Sequence, residues 1–222
     1  NPGYYILTED ISFIHGVNQY FDIKSENITF DGSGHTIYLA AENDSVQVGG
    51  VFKNGSSSNT RDELGKSNIT IKNLNVNCYL GGFNDNQYDG PLTKGYFGKG
   101  SDKILIHNCH TYGKIIGRSN NKLGEAGGFC GAYTCTNPVT SGETNMLITN
   151  SSSNVTFSDF CHRCGLFVGP NSATYGGVLR INNCFTSGVI PSRIDGNNAY
   201  NDDNGGRGPW GENSNFIGAN SC

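Results

Sequence analysis

The chain is short of the residues that globular cores and long helices draw on. It has one Met and one Trp in 222 residues, and 35% of it is hydrophobic. No window carries apolar residues at i, i+3, i+4 and i+7 over three turns, which argues against long amphipathic helices. No apolar run approaches the roughly 20 residues that a membrane-spanning helix needs. Charged residues are 15% of the chain, the net charge is −4, and there is no basic cluster. Nucleic acid and anionic membrane surfaces are therefore poor partners, because both are bound through concentrated positive charge.

What the chain has instead is turn formers and a phrase that returns. It contains 32 glycines and 29 asparagines. The phrase is apolar, any, apolar, polar, then Asn or Asp. It reads Ile28-Thr29-Phe30-Asp31, Ile69-Thr70-Ile71-Lys72-Asn73 and Ile104-Leu105-Ile106-His107-Asn108. It returns as Val155-Thr156-Phe157-Ser158-Asp159 and Leu179-Arg180-Ile181-Asn182-Asn183. On a strand, the two apolar residues face the same way. The closing Asn or Asp tolerates a left-handed backbone and turns the chain.

A second phrase, a glycine bend leading into a short aromatic strand, alternates with the first. It is Gly50-Val51-Phe52, Gly95-Tyr96-Phe97-Gly98, Gly128-Phe129-Cys130-Gly131, Gly165-Leu166-Phe167 and Asn215-Phe216-Ile217-Gly218. Each unit reads as one turn of a coil with two or three short strands. Such a unit cannot bury its own apolar side chains and must stack on its neighbours, about 4.8 Å apart. The expected fold is all-β: a right-handed parallel β-helix, one domain over 1–222. Irregular loops are expected to leave the coils at 56–66, 81–93, 134–145 and 192–210. A thin core shared by stacked strands tolerates the low hydrophobic content. The turn residues Asn73, Asn108 and Asn183 are expected to stack along one edge, with side chains bonded between coils.

The eight cysteines are Cys78, Cys109, Cys130, Cys135, Cys161, Cys164, Cys184 and Cys222. Their even number in an Asn- and Gly-rich chain favours a disulfide-permissive compartment. Cys130 with Cys135, and Cys161 with Cys164 or a cysteine on an adjacent coil, are the best pairs. Cys130-x4-Cys135 with Cys161-x2-Cys164 also offers four thiolates for zinc, and buried free thiols are a third reading. Six N-x-[ST] acceptors, at Asn27, Asn43, Asn54, Asn68, Asn150 and Asn154, add to an extracellular reading. Asn27, Asn68 and Asn154 stand before the strand phrase, where Asn serves a turn in any case. Asn43, Asn54 and Asn150 look like loop residues and are the better glycan sites. Asn1 rather than Met opens the chain, which fits a removed leader or a trimmed chain.

The opening stretch resembles a known fold family. Tyr5-Ile-Leu-Thr-Glu-Asp-Ile-Ser-Phe13 followed by Asn27-Ile-Thr-Phe-Asp-Gly-Ser-Gly-His-Thr-Ile37 is similar to the first coils of pectin-lyase-like right-handed parallel β-helices. The later glycine-rich units resemble repeats of large surface and adhesin-like proteins. That fold carries lyases, hydrolases, tailspikes and adhesins alike, so a site must decide function. The hydrolases resemble a set of Asn-Thr-Asp, Asp-Asp, Gly-His-Gly and Arg-Ile-Lys phrases. This chain has Asp202-Asp203 in a Gly/Asn loop, Arg193-Ile194-Asp195 and Gly34-His35-Thr36, and no Asn-Thr-Asp. No pair of carboxyls on a strand face is evident for glycoside hydrolysis. Asp195, Asp202 and Asp203, with Asn204 and Arg207 nearby, are weak Ca²⁺ candidates. His15, His35, His107, His110 and His162 read as surface or turn residues with no paired nucleophile.

The sequence thus leads to an extracellular structural or adhesive glycoprotein without catalytic residues or cofactor. It is expected to assemble end to end as a homo-oligomer or filament, and to contact glycans. The alternative is a carbohydrate-binding or polysaccharide-degrading β-helix protein, a lyase or hydrolase.

Overall fold

The structure, a computed structural model, describes residues 2–13, 19–39, 49–56, 63–83, 88–117, 125–137, 144–157 and 164–190. The strands are β1 Gly3–Ile6, β2 Ile11–Phe13, β3 Phe21–Asp22, β4 Ile28–Asp31, β5 Thr36–Leu39 and β6 Phe52–Lys53. They continue as β7 Ile69–Phe83, β8 Ile104–Gly117, β9 Asn145–Thr149, β10 Ser152–Phe157, β11 Val178–Asn182 and β12 Phe185–Thr186. A single 3₁₀ turn, Thr174–Gly176, is the sole helical element among the described residues.

Every strand pairing among them is parallel. One path through the main sheet runs β1-β4-β7-β8-β10-β12, with β2 and β5 joining beside it and β9 and β11 continuing from β8; β3 pairs β6 separately. Parallel neighbours need long connections, and equivalent turn residues lie 41, 35 and 33 positions apart.

Residues paired across successive strands form columns. The first-phrase column runs Tyr4-Tyr5, then Thr29-Phe30, Thr70-Ile71, Leu105-Ile106, Leu147-Ile148 and Arg180-Ile181. Its inward members Ile69, Ile71, Ile104, Ile106, Met146 and Ile148 are buried and form the core's spine. Four of the five expected phrases fall in this column. The fifth does not: Val155-Thr156-Phe157 pairs with Gly113-Lys114-Ile115, one strand further round. Met146-Leu147-Ile148-Thr149-Asn150 takes the place expected for it, and fits the same pattern.

Among the described residues the second phrase is shifted in the same way at one position, and Asn215-Phe216-Ile217-Gly218 lies outside them. Phe21, Phe52, Thr93, Cys130 and Val168 share a column, so Pro91-Leu92-Thr93 and not Gly95-Tyr96-Phe97 continues it. The Gly95 segment lies further along. There Tyr96 and Tyr133 stack at 4.5 Å and 7°, as Phe129 and Phe167 do at 4.6 Å and 8°. Like rings repeated at the strand spacing stack on one another without a special site.

Two expected loops are partly core. Leu92 and Thr93, in the 81–93 segment, are fully buried, and so are Cys135 and Thr136 in 134–145. Their polarity misled because hydroxyls can serve the turns from inside. Thr134 Oγ1 donates to Gly131 O at 2.8 Å, and Thr136 Oγ1 to Tyr133 O at 2.7 Å. Residues 57–62 and 192–210 lie outside the described residues.

The turn after the first-phrase strand repeats in backbone and side chain. Asn73, Asn108, Asn150 and Asn183 all have φ between 51° and 53°. Asn108 Nδ2 donates to Asn73 Oδ1 at 2.9 Å, and Asn183 Nδ2 to Asn150 Oδ1 at 2.6 Å. The expected Asn edge is therefore present, with Asn150 as a further member. Replacing Asn108 with Leu removes the amide and forces a branched side chain into the left-handed region. It is expected to cost about 1–3 kcal/mol. Asn108→Gly, which keeps the turn, should cost less than Leu in denaturant unfolding. Equal losses would mean that backbone conformation is not what Asn108 supplies.

Candidate functional site

The residues with the most concentrated chemistry lie along this turn edge. At its first position stands Asp31, which is buried. Tyr4 Oη donates to Asp31 Oδ2, Asn73 Nδ2 donates to Oδ1 at 3.0 Å, and the Ser33 N–H donates to Oδ1 at 2.9 Å. Lys72 Nζ lies 3.2 Å from Oδ2, and 5.3 Å from the centre of the Tyr4 ring. The Tyr4 bond most of all, and then Asn73, Ser33 and Lys72, hold the Asp31 carboxyl well below its usual range. Tyr4 and Asp31 in turn raise the Lys72 ammonium. One carboxylate thus ties β1, β4 and β7 together, and through Asn73 reaches β8.

The edge is interrupted between Asn108 and Asn150. Asn150 Nδ2 turns to His107 Nδ1 at 3.5 Å, and Asn108 Oδ1 instead faces His110 Nε2 at 3.3 Å. His110 Nδ1 lies 2.8 Å from Ser152 Oγ, its in-register neighbour on β10. Burial lowers the His110 pKa, which keeps the ring neutral near pH 7. The sequence reading gave these histidines no partner. The signal was available once Thr149-Asn150-Ser151-Ser152 is aligned on His107-Asn108-Cys109-His110. His35 is placed apart, with Nδ1 3.2 Å from Asp10 Oδ1. His15 and His162 lie outside the described residues.

The cysteines correct an expectation. Among the described residues, Cys78, Cys109, Cys130, Cys135, Cys164 and Cys184 form no disulfide, so Cys130 and Cys135 are not bonded to each other. The reason is geometric. Cys109 and Cys184 share a column but flank Ser151, so two strand spacings, about 9.6 Å, separate them. A disulfide needs Cα atoms within about 7 Å. Cys78 pairs with Gly113, and Cys130 with Thr93 and Val168, so neither meets a thiol across the sheet. Cys135 Sγ donates to Val178 O at 3.3 Å, and Cys109 Sγ to His107 O at 3.4 Å. Burial pushes the Cys78, Cys109, Cys130 and Cys135 thiols up to about 12, which makes them inert. Cys161 and Cys222 lie outside the described residues.

The glycan acceptors divide differently from their sequence ranking. Asn54 is 1% exposed, with Nδ2 donating to Lys66 O at 3.0 Å and Oδ1 accepting from Lys66 N at 2.6 Å. A sugar on that amide is incompatible with this packing. Asn27, Asn68, Asn150 and Asn154 are exposed. Asn68 Nδ2 donates to Asn27 Oδ1 at 2.6 Å, a second turn pair with φ of 58° at both residues. Asn154 points outward from β10. Asn43, and the Ca²⁺ candidates Asp195, Asp202 and Asp203, lie outside the described residues.

The Asp31 network has a definite pH consequence. A carboxyl whose folded pKa is depressed contributes stability that is complete above the unfolded value, near 3.8. That stability is lost as pH falls through the folded value, because the unfolded chain takes up the proton first. Asp31→Asn is expected to cost about 1–3 kcal/mol at pH 7 and to flatten the acid limb below pH 4. Denaturant midpoints from pH 7 to pH 2 check it. A variant that loses stability in parallel with wild type across that range contradicts it.

No protein-family model matches the chain, and no curated protein does. A solved structure similar to it is that of a Bacteroides ovatus protein whose name assigns it, provisionally, to the immunoglobulin A1 proteases. That chain is 16% identical, with 99% of this chain and 77% of that one covered, at a TM-score of 0.36. A likeness of that size carries no functional argument.

Proposed function

We propose that the chain is a right-handed parallel β-helix that serves as an extracellular structural or adhesive glycoprotein and associates end to end. The observation that carries this is the outer edge of β1. Among the described residues it stands at one end of the strand order, with β4 as its neighbour on the other side. Its residues Tyr4, Tyr5 and Ile6 are 55%, 44% and 55% exposed. A parallel edge strand with apolar side chains is a template for one more strand. A second copy adding there in the same direction extends the columns, and a contact that does not close makes a filament.

Several features support the rest of the reading. Parallel crossovers within a sheet are right-handed in about 98% of cases. Exposed Asn27, Asn68, Asn150 and Asn154 leave room for sugars outside the stack. Deeply buried thiols are shielded from oxidants in an oxidising compartment, and their raised pKa values keep them protonated. A second reading, carbohydrate binding, is favoured by one row on the outward face. Tyr38, Asn77, Tyr112 and Asn154 follow one another in register, alternating ring and amide.

Sedimentation velocity over a concentration series tests the assembly. Wild type is expected to grow beyond a single copy, and Ile6→Lys, which places a charge on the open edge, to remain a monomer. A wild type that stays monomeric at every concentration overturns the end-to-end reading.

A further inference from the structure

The interrupted Asn edge ends in an arrangement that a structural stack does not require. Its direction can be fixed from one end. Asp31 is a carboxylate and only accepts, so the Asn73 group facing it is the Nδ2 amide, 3.0 Å away. Asn73 therefore presents Oδ1 to Asn108, which answers with its own Nδ2 at 2.9 Å. Asn108 in turn presents Oδ1 to His110 Nε2 at 3.3 Å. An amide oxygen only accepts, so Nε2 carries the imidazole proton. Nδ1 is then a bare lone pair, and it faces Ser152 Oγ at 2.8 Å.

The order is hydroxyl, neutral imidazole, orienting oxygen. It is the relation that activates a serine in acyl transfer, recognised by geometry and roles and not by fold or chain order. Here the serine sits on Nδ1 and the orienting oxygen on Nε2. The two ring nitrogens exchange places without changing the chemistry. Ser152 and His110 are both partly exposed, on adjacent strands. Along β10 the pattern alternates, with Ser153 and Val155 buried and Asn154 and Thr156 exposed, so Ser152 lies on the outward face.

We propose that Ser152 is a base-activated nucleophile that accepts an acyl group from small activated esters, with His110 as its general base. Ser152 Oγ attacks the carbonyl carbon while its proton passes to His110 Nδ1, leaving an imidazolium held by Asn108 at Nε2. The tetrahedral adduct collapses, the bond to the leaving alcohol oxygen breaks, and that oxygen takes the proton from Nδ1. A water that gives a proton to Nδ1 and attacks the ester reverses the sequence, releasing the acid and restoring Ser152. Asn108, Asn73 and Asp31 are positioning residues. They set which nitrogen is bare. This activity does not depend on end-to-end assembly.

The test is covalent labelling of the full chain with a fluorophosphonate probe, followed by peptide mass spectrometry. The serine oxygen bonds to phosphorus, fluoride leaves, and the serine proton goes to His110. The expected result is one label per chain, at Ser152. It should be absent in Ser152→Ala and at least about 100-fold slower in His110→Gln, the contribution of a positioned general base. No label, label spread over other side chains, or an unchanged rate in His110→Gln overturns the proposal. A second measurement does not depend on reactivity. Nitrogen-15 shifts of the histidine rings are expected to show His110 protonated at Nε2, and Asn108→Gly, which keeps the turn, to lose that preference. A proton on Nδ1 in wild type overturns the proposal as well.

Discussion

The structure depends on one constraint: each strand must turn at the same place as the strand beneath it. Parallel strands a few ångströms apart leave no room for a turn that wanders. The asparagine backbone solves this with φ of 51° to 53° at Asn73, Asn108, Asn150 and Asn183. At Asn73, Asn108 and Asn183 the side chain then bonds to the turn below, so the residue that allows the bend also fixes its height. Gly113 shows the same demand without a side chain. Its φ is +121°, and a Cβ there would lie 2.1 Å from Cys78 O.

Once turns coincide, the core follows. Inward positions repeat from strand to strand, and a narrow interior fills with Ile, Phe, Cys and small hydroxyl residues. Many of the hydroxyls are partnered, although among the described residues Ser101 Oγ and Thr144 Oγ1 are buried without a hydrogen-bond partner. Thr111 Oγ1 and Ser153 Oγ both donate to Gly128 O, at 2.6 and 3.0 Å. The Cys109 N–H donates to Ser151 Oγ at 3.1 Å. A buried polar group without a partner costs on the order of 1–3 kcal/mol, so such pairings make Ser and Thr acceptable in a core this thin. Cysteine serves here as a small apolar side chain of the right volume.

The all-β class, the parallel stacking and the turn asparagines were legible because they rest on local rules that repeat. Apolar alternation marks a strand, and Asn marks a left-handed turn. The register was less legible. Val155-Thr156-Phe157 and Met146-Leu147-Ile148 both satisfy the same short pattern, and only the pairing with β8 separates them. Buried Thr93 and Thr136 were hidden for a related reason, since their bonds run to backbone groups brought close by turns. The Ser152–His110 pair joins residues 42 positions apart, and no spacing rule announces a contact made across an irregular crossover. Cysteine count pointed to disulfides, but the columns separate the described thiols.

The register is also where the account is most exposed. The direct measurement is a set of nuclear Overhauser contacts between backbone amides and methyls of neighbouring strands in isotope-labelled protein. Leu147 and Ile148 are expected to contact Leu105 and Ile106, while Val155 contacts the 113–114 backbone and Asn108 side-chain amide protons contact Asn73. Contacts from Val155 and Phe157 to Ile104 and Ile106 across the strand spacing would instead place the turns out of line, and would contradict the stacked asparagine edge on which the structure rests.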